Sequence, residues 1–332
     1  MTKLIHLLMV VLIMIFLAPA IFSQDDAKRD LYQKFTSAYN RGRDAKKLDP
    51  NLAQATNRDV YNQASKEAYQ LAIEYVRRYP NDTDEIFSFQ KKYIGDYEKW
   101  QKQMRKTQLA QYFSDKKYEE AFALGRQILI DEPNDLLTLY TLARGGLFVA
   151  TGGNDNYNSA TIQYAKSAVQ LTEAGMALDG ISKDETLGVL HYAIGVATLK
   201  TAPADALAAL LQVATQPNTS RNDPQVFYLL AIAYQSVDYE KLSEAYNTQC
   251  RAEPKLLNTE PCKALADRLN GVIDRIADSY ARAVALSGSL PQYANAKTEW
   301  INSLTDFYKY RHAGKADGLN DFIAGALARP MP

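Results

Sequence analysis

The sequence predicts an all-α chain of short antiparallel helix pairs, and three observations carry that prediction. The stretch from Thr107 to Pro133, TQLAQYFSDKKYEEAFALGRQILIDEP, puts Leu109, Ala110 and Phe113 on one helical face. It breaks at Ser114 to Lys117 and restarts with Ala121, Leu124 and Ile128 on a second helix, which Pro133 stops because it has no N–H to donate. An apolar residue followed by a small one then recurs at Leu109-Ala110, Leu142-Ala143, Ile194-Gly195 and Leu230-Ala231, the small residues standing 33, 52 and 36 positions apart. Ala121, Ala206 and Leu242 each follow the small residue of their own unit by 11 positions, so three units are expected to share one turn length.

These units resemble the tetratricopeptide repeat. Ala110 and Ala121 match the small residues at which that family's two helices cross, Pro133 matches its closing proline, and a period near 34 is its spacing. The resemblance covers roughly residues 26–250. It implies a right-handed superhelical solenoid of antiparallel helix pairs, closed by an irregular helical C-terminal cap, in an exported bacterial protein. It also implies that the first helices line a concave surface, where the residue two before each apolar–small pair and the one after it face a ligand. Those residues are Thr107 and Gln111, Tyr140 and Arg144, Tyr192 and Val196, and Tyr228 and Ile232. Three tyrosines in line would offer apolar faces with hydrogen-bonding tips to an extended peptide or a helix. An aromatic stripe at helical spacing is also what a core looks like, and the C-terminal helices could fold in and bury it. The family's clamp for a terminal carboxylate needs asparagines that these positions lack, with Arg144 the one matching cation.

Taken in order, Lys3, the apolar run Leu4 to Leu17 and the small-residue exit near Ala20 to Ser23 have the form of a secretory signal peptide over residues 1–23, or of an anchor if it is retained. Residues 24–82 read as a divergent first repeat, with Leu31, Phe35 and Tyr39 on one helix and Ala64, Ala68, Ala72 and Tyr75 on the next. Residues 83–250 hold the clearer repeats. A helix is expected from Asp82 to Met104, capped by Thr83 or Asp84, with Lys99, Lys102, Arg105 and Lys106 as a solvated basic face. An insertion around 151–185 accounts for the long spacing of 52: Thr151 to Asn158 lengthens a turn, and Leu171 to Glu185 adds a connection. Asn154, Asp155 and Asn156 lack the acidic spacing and closing Glu of a calcium loop. Residues 251–332 read as the cap, with helices through Leu265 to Val284, Gln292 to His312 and Leu319 to Leu327.

Composition narrows the function. At 47% hydrophobic and 23% charged the 332 residues suit a folded chain, and 38 basic against 38 acidic residues give no global attraction to nucleic acid or anionic lipid. The two cysteines, Cys250 and Cys262, are expected to pair in an exported chain, the alternative being two unpaired thiols. No metal site or cofactor is expected. No nucleophile elbow, phosphate loop, dinucleotide fingerprint or zincin helix occurs, and His191 and His312 are the only histidines beyond the leader. The expectation is a non-enzymatic scaffold or adaptor of the periplasm or cell exterior whose partner is a protein or peptide. The alternatives are a structural subunit of an envelope assembly and a helical-repeat enzyme using acidic residues.

Overall fold

A computed structural model describes residues 26–288 and 290–331. The signal segment read at 1–23 lies outside the described residues. Those described form helices joined by turns, with no strand among them beyond one isolated bridge between Leu178 and Ile181. They divide into two compact units at Thr107 and Gln108. The division falls within one helix.

The first unit contains α1 (26–48), α2 (Ala55–Arg78) and most of α3 (Glu85–Ser114). Its core follows the face read from the sequence: Ala64, Ala68, Ala72 and Tyr75 are buried along α2, Ala68 and Ala72 clustering with Phe35 and Ala38 of α1 and Tyr75 with Leu31. Tyr93 packs edge-on against Phe35 at 5.4 Å, and Tyr97 stacks on Tyr69 at 4.4 Å, so aromatic rings fill the space that the alanines leave. Asp84 caps α3, its Oδ1 accepting from the Phe87 N–H at 2.8 Å. The helix expected to end at Met104 continues to Ser114. No proline or glycine interrupts the join.

The second unit continues through α4 (Tyr118–Asp131), α5 (Leu136–Thr151), α6 (Asn158–Glu173), α7 (Lys183–Thr198), α8 (Pro203–Thr215) and α9 (Pro224–Tyr234). It closes with α10 (Glu240–Tyr246), α11 (Glu260–Ser287), α12 (Ala294–Arg311) and α13 (Leu319–Ala324). Side chains of Asp135, Ser182 and Asp223 accept from the first-turn N–H groups of α5, α7 and α9, and Pro203 and Pro224 open α8 and α9 where a missing N–H costs nothing. From α5 to α8 each helix packs on the next, and α5 also packs on α7. Gly146 and Gly195 allow close approaches in this stack, since a Cβ on Gly146 would collide with the Thr161 side chain of α6 and one on Gly195 would meet the Leu210 side chain of α8 at 2.7 Å. The connection expected from Leu171 to Glu185 is shorter than that, because α6 runs to Glu173 and α7 starts at Lys183.

Two expectations about the repeat are corrected here. Ala110 is exposed while Leu109 is 1% exposed, so the small residue of that unit does not lie at a helix crossing. The turn expected between Ala231 and Leu242 is absent: Gln235–Tyr239 is π-helical and carries α9 into α10. The equivalent positions in the other two units, Lys116 at φ +59° and Thr201, lie in turns that leave the helix, whereas here the chain stays helical through the π segment. Instead of pairing with α10, α9 packs against α11.

Candidate functional site

The C-terminal part of α3 and the middle of α5 form the walls of a cleft of about 410 Å³. Ala110, Phe113 and Ser114 come from α3, Lys116 from the turn that follows, and Tyr140, Thr141, Arg144, Gly145 and Phe148 from α5. Gly145 sets the floor: a Cβ there would stand 2.3 Å from the Phe113 ring, so glycine lets the ring lie directly on α5. Behind it Phe113 meets Phe122 edge-on at 5.6 Å, and Phe122, 1% exposed, stacks on Tyr157 at 4.5 Å. The floor is therefore backed by core.

Tyr140, Arg144 and Phe148 stand one helical turn apart on the same face of α5. Tyr140 is 7% exposed, and its hydroxyl has no hydrogen-bond partner among the described residues. Burial raises its pKa above the ordinary phenol value, against which Arg144 acts in the opposite sense. Neither the Arg144 nor the Lys116 side chain forms an ion pair or hydrogen bond with a described residue. Phe148 is 61% exposed at the rim. With Lys116 it also borders a second hollow of about 450 Å³ that reaches Tyr118, Asn154 and Gln225.

Of the eight residues expected to face a ligand, Tyr140 and Arg144 line this cleft. Thr107 and Gln111 are exposed on α3 without lining it, and bond within their own helix or turn, to the Gln103 carbonyl and the Asp115 carboxylate. The others do not form an open row. Tyr192 is 6% exposed and donates to Asp223 Oδ2 at 3.1 Å, while Tyr293, just before α12, donates to Oδ1 of the same carboxylate at 2.9 Å. Burial and Asp223 raise the pKa of Tyr192 strongly, and that of Tyr293 rises to about 12 for the same two reasons. Tyr228 stacks on Trp300 of α12 at 5.4 Å, and Val196 and Ile232 are half-buried. Of the three tyrosines expected in line, Tyr140 borders this cleft at a burial close to that of Tyr192, which is held by Asp223 beside Tyr293, and Tyr228 is half-buried against Trp300. Phe113, Lys116 and Phe148 were missed as site residues, although Phe148 stands at i+4 from Arg144, an apolar residue continuing a polar stripe.

The remaining candidates occupy other places. Cys250 and Cys262 form a disulfide with 5.6 Å between Cα atoms, tying the end of the α10 run to the first turn of α11. His191 is half-buried on α7, and burial lowers its pKa against the opposing influence of Glu173. His312 stacks on Tyr308 with centroids 3.8 Å apart. Asp155, from the segment weighed as a calcium loop, pairs with Lys200. No group of three or more His, Cys, Asp or Glu placed to hold a metal occurs among the described residues, and no described helix is long and apolar enough to cross a membrane. Comparison of the chain with protein-family models, with curated proteins and with solved structures finds no match.

Proposed function

We propose that the chain is a non-enzymatic interaction module, a tetratricopeptide-like scaffold that holds a segment of another polypeptide in the α3–α5 cleft. Phe148 is the observation that carries this reading. Its ring is 61% exposed at the mouth of a cleft whose floor is packed core, on a helix whose other large side chains are mostly buried. Covering a phenylalanine ring is worth about 1.5–3 kcal/mol, enough to anchor a short segment. The cleft's lining side chains include no carboxylate, imidazole or thiol, so its hydroxyls stand without an adjacent carboxylate or imidazole base.

The consecutive packing of α5 to α8, with α5 on α7, supports a repeat stack, and α9 on α11 supports a cap that ends it. A right-handed solenoid of the tetratricopeptide kind is the architecture we infer from that pattern and from the period near 34. Export to the periplasm or cell exterior of a bacterium fits Lys3, the apolar run after it and the disulfide, which persists in oxidising compartments. A photo-cross-linking residue placed at position 148 should form adducts with a polypeptide in envelope extract, and one at Ile130, 79% exposed on α4, should not. Equal labelling from both positions would remove the cleft from consideration.

A further inference from the structure

The spacing of three side chains along α5 narrows the class of segment, on the reading that the cleft binds a polypeptide. Tyr140, Arg144 and Phe148 fall at i, i+4 and i+8, so each is about 6 Å from the next along the helix axis. In an extended peptide, side chains two residues apart point to the same side and lie roughly 6.6 Å apart. A strand-like segment laid along α5 would therefore present alternate side chains to Phe148 and to Arg144.

The chemistry at those points is specific. Beside the apolar walls of Phe113 and Phe148 stand two cationic side chains without partners among the described residues, Arg144 and Lys116. A third donor, the Tyr140 hydroxyl, belongs to a residue 93% buried, has no partner among the described residues and is not sealed from solvent. Three donors with no carboxylate among the lining residues are complementary to one on a ligand, which a guanidinium and a phenol can hold together by charge-assisted hydrogen bonds. Lys116 reaches the cleft from a left-handed backbone position, φ +59°, that glycine would occupy without strain.

We propose that the cleft binds an acidic, extended peptide segment in which an Asp or Glu lies two residues from an aromatic or large aliphatic side chain. The carboxylate is held by Arg144, Lys116 and the Tyr140 hydroxyl, and the apolar side chain lies against Phe148 and Phe113. Hydrophobic contact supplies the anchor and the three donors supply the selection, because a neutral side chain there would leave Arg144 desolvated without compensation.

The test is a selection of random dodecapeptides displayed on phage against the immobilised full chain, followed by affinity measurements on synthetic peptides. Enriched peptides should carry Asp or Glu two positions from an apolar residue. They should bind at least tenfold more weakly to the double variant Arg144→Gln, Lys116→Gly. That variant should unfold at the same or a higher denaturant midpoint, because glycine relieves the left-handed strain, so weaker binding is not a folding defect. Peptides lacking the acid at that spacing, or equal affinity for the double variant, would overturn acid recognition and leave peptide binding standing. Peptides no more enriched on the wild type than on Phe148→Asp would overturn both.

Discussion

Asp223 shows how much one residue is asked to do. Its Oδ1 accepts from the Gln225 N–H at 2.9 Å, capping α9, and from Tyr293, while its Oδ2 accepts from Tyr192 of α7. Three parts of the chain are thereby fixed on one carboxylate. Tyr192→Phe removes one charge-assisted bond and should cost about 1–3 kcal/mol at pH 7. The pH dependence gives a sharper check. The folded-state pKa of Tyr192 is raised, so its neutral form is favoured on folding, and the contribution is full below the unfolded phenol pKa of about 10. It is lost as pH rises from there toward the folded value. Urea unfolding of Tyr192→Phe should therefore show a shallower loss of stability above about pH 10 than the parent chain. Equal slopes would mean that Tyr192 does not ionise on unfolding in that range. The tyrosines themselves were legible in the sequence as an aligned row. Their covering was not, because Tyr293 and Trp300 come from 101 and 72 residues farther along than Tyr192 and Tyr228 respectively.

Helices show where local pattern stops being enough. The caps at Asp84, Asp135, Ser182 and Asp223 and the prolines opening α8 and α9 are local chemistry, and the helices start where those signals stand. The α9–α10 junction stays helical although its 11-residue spacing is the one that makes a turn in two other units. The consequence is a run from Pro224 to Arg251 without a turn, whose later half, α10, buries none of its residues fully. The disulfide to α11 restrains it together with the packing of Tyr239 and Leu242 on the core. Replacing Cys250 and Cys262 by serine opens a loop of about a dozen residues and should cost about 2–3 kcal/mol. Hydrogen exchange should then quicken over residues 240–259 while α5 to α8 keep their protection; unchanged exchange over 240–259 would show that packing alone holds the segment.

The second unit is closed by a buried ionic clasp. On α11, Asp278 and Arg282 are 5% and 6% exposed, with Arg282 Nε donating to Asp278 Oδ2 at 2.5 Å. Arg329 of the tail reaches Asp278 Oδ1 at 3.1 Å and donates to the Phe322 carbonyl at 2.8 Å. Arg282 in turn donates to the carbonyls of Arg329 and Pro330, so each partner of the pair also holds the C-terminal segment. Arg282→Met should cost about 3–5 kcal/mol, because it leaves a buried carboxylate partly compensated, and should expose the tail to protease. Adding Asp278→Leu should recover part of that loss; a double variant as unstable as the single one would show that packing, rather than unpaired charge, is what fails.

Helix content, the faces of α1 and α2, most caps and the first-helix positions of Tyr140 and Arg144 were determined by the sequence itself, since periodicity and capping act over a few residues. Which of the aligned tyrosines stays at an accessible cleft, that α9 packs on α11, and that Phe113, Lys116 and Phe148 join Tyr140 and Arg144 were decided by tertiary structure. Those outcomes depend on which distant helix buries a given apolar face, and burial is settled by competition among all the faces a chain can bring together.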